Sequence, residues 1–297
     1  MTDTAIAHGP VVGKRRGEGL TAAALLTPAT VFVAIALLAP LVILFRYSLN
    51  EFVPARKMMV EAVTIANYVK FFTDPYYTTI LWTTVRIAVL VTAVCLVLGF
   101  PLAYVVARTQ SRFKNLLIIS IVLPLFVGNS VRAAGWMVVF GNKGFVNASL
   151  MGLGLIDQPF EIMFTEKAVI IGIIAVNLPF MVLSLQSVIE GIDRSVEEAA
   201  FSLGAPPATM FRRVLWPLAL PGILAGTILT FILAMNAYAT PFLLGGPLFK
   251  MMAPLIYNQF TQQTNWPFGG AIAFILMTVT LLLTVAANLI IQRRAAR

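Results

Sequence analysis

Few side chains in this 297-residue chain could make or break a covalent bond. Cys95 is the only cysteine, and His8, the only histidine, sits in a polar tail. A lone cysteine permits no intrachain disulfide and gives no thiol metal site. No G-x-x-x-x-G-K-[ST] phosphate loop occurs; the nearest string, Gly9 to Arg15, has the wrong spacing and the wrong last residue. Neither H-E-x-x-H nor G-x-S-x-G is present. The expectation is therefore no catalytic residue, no metal and no cofactor held by this chain. What its polar residues can do is bind, dock and transmit force.

The densest group of such residues is the segment 191–221, GIDRSVEEAAFSLGAPPATMFRRVLWPLALP. Ser195 and Glu198 fit the S-x-x-E capping box and start a short helix running to about Leu203. Gly204 stops it by taking a left-handed conformation, and Pro206 and Pro207 open a second short helix. Glu197 and Glu198 lie near the positive end of the first helix. Ala199 and Ala200 leave one side smooth enough for another backbone to approach, and Arg212 and Arg213 mark the second helix. The same pattern also suits an ordinary amphipathic loop between two longer helices.

A second group is dispersed through apolar runs. Asn177 is followed by Pro179, and Asn236 by Tyr238 and Thr240. Polar groups there are costly and either line a path or bond one helix to another. Arg86 lies near the end of an apolar run, where it can snorkel to an interface. Arg132 either follows a helix break and faces an open vestibule, or lies buried and paired. An open Arg132 could meet a protein partner or an anionic group.

The elements that hold these residues follow from composition. The chain is 59% hydrophobic and 11% charged, with mean hydropathy +0.90, where a soluble domain is about a quarter charged. A lipid-embedded all-α bundle can expose that much apolar surface if its backbone bonds close internally. Spanning helices need about 20 apolar residues, and the runs 22–45, 79–107, 168–189, 221–244 and 270–291 qualify. A sixth, 115–140, is interrupted by Pro124, Gly128, Asn129, Ser130 and Arg132. It reads as a span to about Phe126, extended or broken, and then a short helix. The resulting organisation is a polar tail over 1–20 and a single membrane domain over 21–297.

Six spans put both termini on one side. Twelve of the 21 Lys and Arg fall on that side, among them Lys14, Arg15, Arg108, Lys114, Arg194, Arg212 and Arg297, which places the termini in the cytoplasm. The net charge of +9 thus orients helices; no basic stripe with interleaved aromatics suggests nucleic acid. Outer loops over 46–78, 141–167 and 245–269 are long enough for short helices and a docking surface. No acid lies deep in any span, and Glu190 is at an edge.

The spacing within 191–217 resembles the EAA loop of ABC importer permeases. That pattern is E-A-A, three residues, G, nine residues, I-x-L-P, matched by Glu198, Ala199, Ala200, Gly204, Val214 and Pro217, with Trp216 where Leu is usual. NSVRAAGWMVVFGNKGFVN from Asn129, TPFLLGGP from Thr240 and NWPFGGAIA from Asn265 look like the spermidine/putrescine-type subfamily. The resemblance implies a six-span permease in the bacterial inner membrane. It implies two separate ATPase subunits, with their ATP and Mg, docking on the loop, a second and different permease, and a periplasmic binding protein that delivers a small organic solute. One departure bears on the solute: members of the subfamily often carry an acid just before the proline matched by Pro241, and this chain reads NAYATP there. An inward carboxylate would suit a polyamine cation, so for such a solute the partner permease or the binding protein would have to supply the charge. A secondary transporter driven by an ion gradient, or a membrane assembly protein, are the other readings.

Overall fold

The computed structural model describes residues 16–53, 58–247 and 249–295. It divides into two units, Met1–Tyr47 and Ser48–Arg297. The first carries most of α1 (Arg16–Ser48), a helix with Pro28 and Pro40 inside it. Apolar side chains such as Leu25, Phe32 and Ile35 are exposed on it, as lipid would require. His8, Lys14, Arg15 and Arg297 lie outside the described residues. So do residues 1–15 of the expected tail; 16–20 are the start of α1.

The second unit begins with a two-stranded antiparallel ribbon, β1 (Glu51–Val53) and β2 (Met58–Val60), pairing Phe52 with Met59. The helices follow in order: α2 (Ala66–Thr73), α3 (Pro75–Arg108), α4 (Lys114–Val122), α5 (Asn129–Phe140), α6 (Phe145–Gly152), α7 (Glu166–Glu190) and α8 (Arg194–Ser202). Next come α9 (Pro207–Met210), α10 (Trp216–Leu218), α11 (Leu220–Met235), α12 (Ala239–Leu244), α13 (Met252–Thr261) and α14 (Trp266–Ala295). Local chemistry sets the ends. The Asp74 carboxylate accepts from the Tyr76 N–H at 2.9 Å, with Pro75 in the first turn of α3. The Thr165 hydroxyl accepts from Ala168 N–H ahead of α7.

Four helices are long and apolar enough to cross a membrane: Leu25–Ser48, Pro75–Arg108, Glu166–Glu190 and Trp266–Leu289. Among the described residues two bent pairs raise the number to as many as six, if each pair is counted as one span. Lys114–Phe126 meets Asn129–Gly152 at 101°, and Pro207–Leu218 meets Leu220–Met235 at 70°. The first bend falls where Pro124 and Gly128 break the run 115–140: a 3-10 turn, Leu123–Phe126, precedes α5.

One span departs from its expected length. The run 221–244 does not form one helix: α11 ends at Met235, and α12 begins at Ala239. Pro241 has no N–H for the carbonyl four residues back and its ring collides with that turn. Asn236 instead caps the end, its Nδ2 donating to the Ile232 carbonyl at 2.9 Å.

The core lies where α3, α7 and α11 pack together. Ile87, Val91, Ile173, Leu185 and Ala234 are buried there. Met181 of α7 sits between two glycines. A Cβ at Gly99 of α3 would stand 2.9 Å from Met181 Cγ, and one at Gly226 of α11 would stand 2.7 Å from its Sδ. Small residues let helices approach this closely where no hydrophobic effect drives them together.

Candidate functional site

The break between α11 and α12 opens a cavity of about 340 Å³. Its polar lining is Asn129 and Ser130 from the start of α5, Asn177 from α7, and Asn236, Tyr238 and Thr240 from the break. Ile173, Phe180 and Leu233 supply apolar walls. Asn177 is 1% exposed, and its Nδ2 has no hydrogen-bond partner in the protein. A buried amide donor left unbonded costs about 1–3 kcal/mol, so this site holds an unmet demand for an acceptor. Gly172 lets α12 come close, since a Cβ there would stand 2.6 Å from Thr240 Cγ2. No carboxylate lines the cavity.

Arg132 is not part of that lining. It follows the break, half-buried, with Nη2 donating to Asn129 Oδ1 at 2.5 Å. Its Nε and Nη1 are buried without a partner in the protein. Its one bond toward the cavity is thus to Asn129, which lines it. On the other flank, the Tyr238 ring lies 5.4 Å from Phe242 and 4.8 Å from Tyr257. Phe242 and Tyr257 line a second cavity of about 390 Å³, so this aromatic cluster separates the two spaces. Arg86 is partnered, its Nη2 lying 2.6 Å from the Glu166 carboxylate.

The segment 191–221 folds as a helix, a turn and a helix. Its first helix does not begin with a Ser195/Glu198 box. The cap is Asp193, whose carboxylate accepts from the Ser195 N–H at 2.9 Å. That bond holds the Asp193 carboxyl below its usual range. An ionised carboxylate is a stronger acceptor than a serine hydroxyl, so the helix starts two residues earlier than the box implied. Gly204 has φ +80°, with Gly204 N–H bonded to Phe201 O at 2.9 Å and Ala205 N–H to Ala200 O at 3.0 Å. These two bonds make a Schellman stop. Pro207 opens α9 with Pro206 at its cap. A π-helical turn, Phe211–Leu215, then carries Arg212 and Arg213, both exposed.

The two sides of α8 differ. Glu197 is 7% exposed and Ala200 9%. Glu198, Ala199, Phe201 and Leu203 are exposed, Leu203 at 89%. An outward face of apolar groups with one carboxylate suits a protein partner. Pro217 is exposed nearby, and Trp216 stacks 5.6 Å from Phe100 of α3, with Phe211 edge-on to the same ring. Trp216 thus supplies local packing where the pattern has Leu.

The model of the binding-protein-dependent transport system inner membrane component family matches residues 58–297. The chain belongs to that family. It is a permease subunit of a binding-protein-dependent ABC importer and a multi-pass inner-membrane protein. The permease is similar to the spermidine/putrescine transport system permease protein PotB of Escherichia coli (strain K12), 36% identical over 234 residues that cover 79% of this chain and 83% of that one. PotB of Haemophilus influenzae (strain ATCC 51907 / DSM 11121 / KW20 / Rd) is 35% identical over 235 residues, 78% and 82% of the two chains. In fold the permease is similar to a chain of the bacterial alginate ABC transporter in complex with alginate pentasaccharide-bound periplasmic protein. The TM-score is 0.74 at 18% identity, over 95% of this chain and 99% of that chain. The resemblance carried by Glu198, Ala199, Ala200 and Gly204 is borne out at the level of the family.

The permease fold brings Asn177, Asn236, Tyr238 and Thr240 to one cavity and leaves Arg132 one residue behind it. The sequence reading missed Asn129 and Ser130 as lining residues, although they sit beside the recognised break. It also missed Tyr257 and Arg108. No local signal marks Tyr257, because its partners lie on another helix. Arg108 counted only as an orienting charge.

Proposed function

We propose that this permease forms one half of a path for a polyamine or related small organic solute, and that the α11–α12 cavity lies on that path. The observation that carries the reading is the convergence of six polar groups, from α5, α7 and the α11–α12 break, on one cavity, one of them a buried amide whose nitrogen has no partner in the protein. The similarity to PotB supports a polyamine-like solute. The lining lacks a carboxylate, so a cationic solute would draw its counter-charge from another subunit.

In this reading two ATPase subunits dock on the α8–α9 hairpins. Glu198, Ala199, Gly204, Arg212, Arg213 and Pro217 are presented to them, while Glu197 and Ala200 face the permease itself. ATP and Mg stay on the ATPases, and this chain hydrolyses nothing. A second, different permease completes the path, a periplasmic binding protein delivers solute to the outer loops, and both termini are cytoplasmic. ATP binding draws the hairpins together and opens the path outward; hydrolysis returns it inward.

The test is uptake of labelled spermidine, and of a panel of small organic solutes, into vesicles reconstituted with the whole complex and its co-encoded binding protein. Uptake that needs both ATP on the hairpin side and the binding protein supports the proposal. Uptake that ignores ATP contradicts it.

A further inference from the structure

Two links join α8 to its neighbours in sequence. Toward α7 the link is the turn 191–193; toward α11 the path passes through the 70° bend at Ala219. A third link is made by side chains, to a helix about ninety positions away. Arg108, the last residue of α3, donates from Nε at 2.8 Å and Nη2 at 2.5 Å to Glu197 Oε1. Its Nη1 donates to the Ile192 carbonyl at 3.0 Å. Tyr104, one turn back on α3, donates to Glu197 Oε2 at 2.8 Å. Arg194 closes the loop, its Nη2 donating to the Arg108 carbonyl at 2.5 Å.

The two charged side chains are 13% and 9% exposed. Both carboxylate oxygens and all three guanidinium nitrogens are engaged. A buried network with every member bonded holds a single arrangement, and removing one partner leaves the other charge stranded. Glu198, the next residue round the helix, is exposed. The paired glutamates therefore divide the work: one faces outward, one fastens the helix inward.

We propose that Glu197 is a positioning residue which, with Arg108, fastens the hairpin to the end of α3. Displacement of the hairpin then drives α3 directly, as well as α7 and α11. Since α3 packs against both of those helices, and α7 carries Asn177 while Asn236 caps the end of α11, this contact is a route by which docking reaches the path. The inference rests on the proposed docking of an ATPase on the same hairpin.

The test uses the whole complex, purified through a tag on this chain and reconstituted in vesicles, with solute moved per ATP as the readout. Two variants are compared with the parent. One is Glu197→Gln. The other combines Arg108→Cys and Glu197→Cys in a Cys95→Ala background, with and without a short bis-maleimide bridge. With Glu197→Gln, the ATPase still co-purifies at the parental ratio, and solute per ATP falls by about tenfold, within the range of coupling mutations. The unbridged double-cysteine protein shows the same fall, and bridging restores most of the loss, because a covalent tie replaces the ionic one. Parental solute per ATP in Glu197→Gln overturns the proposal. So does loss of the ATPase from that complex, which would make Glu197 an interface residue, and so does a bridge that restores nothing. Should Glu197→Gln fail to fold, the bridged and unbridged forms of one protein decide alone. A parental chain that recovers no ATPase sinks the docking reading instead.

Discussion

At Glu197 a buried carboxylate has both oxygens bonded, by Arg108 and Tyr104. At Asn177 a buried amide has a nitrogen with no partner in the protein. The first lies where α8 meets the end of α3, the second where α11 stops short of α12. A saturated network resists rearrangement. An unsaturated site gains from whatever can supply the missing bond. Under the proposed function, the molecule is stiff where motion is passed on and receptive where a solute is held for a moment and released.

The strongest way to break the comparison is at the exposed side of the stiff region. Gly204→Asp forces a side chain into the left-handed conformation, at about 1–2 kcal/mol, and disturbs the stop on which the hairpin's shape depends. Together with Glu198→Arg, it is expected to reduce uptake to the background of cells lacking this chain, at undiminished membrane levels. Normal uptake by both variants, quantified against membrane content, would contradict the docking assignment.

Asn177→Leu comes next. It removes the unbonded amide, so thermal unfolding of the purified protein should occur no lower than in the parent, while uptake falls by about tenfold, the worth of a hydrogen bond of about 1.4 kcal/mol. A lower unfolding temperature with unchanged uptake would make Asn177 a packing group. Gly172→Ala, also on α7, sharpens the same point where that helix meets α12. Its new methyl meets Thr240, overpacking costs about 1–3 kcal/mol, and a several-fold loss of uptake with a measurable loss of stability is expected. The smallest effect belongs to Arg86→Gln. Its pair with Glu166 is about half exposed, so stability should change by less than about 1 kcal/mol, and uptake should stay at the parental level. A large loss of uptake would place Arg86 in the path or at a docking surface.

Much of this was legible in the sequence, for reasons that differ from place to place. The bend before α5 was, because Pro124 and Gly128 act on their own neighbours. So was the stop at Gly204, whose spacing fixes both the turn and the family. The shortness of α11 was not: apolarity continues past Met235, and hydropathy does not register that Pro241 withholds a bond from the turn before it. The cap at Asp193 was hidden by competition, since Asp193 and Ser195 are both good caps and only the geometry shows which one wins. Which of Glu197 and Glu198 turns inward depends on Arg108, a contact that no local pattern contains. The cavity stands between these cases. Its polar residues announce themselves in apolar runs, but their convergence is a property of how α5, α7 and the α11–α12 break pack.

The central claim, that the hairpin couples this permease to ATPase subunits, is tested most directly by purifying the tagged chain from its native membranes and identifying what comes with it. The account predicts an ATPase in fixed ratio to this chain, together with a second permease, and its loss when Leu203, the most exposed apolar residue of the hairpin, is changed to Glu. A chain recovered alone, and still accumulating solute in ATP-free vesicles under an ion gradient, would contradict it.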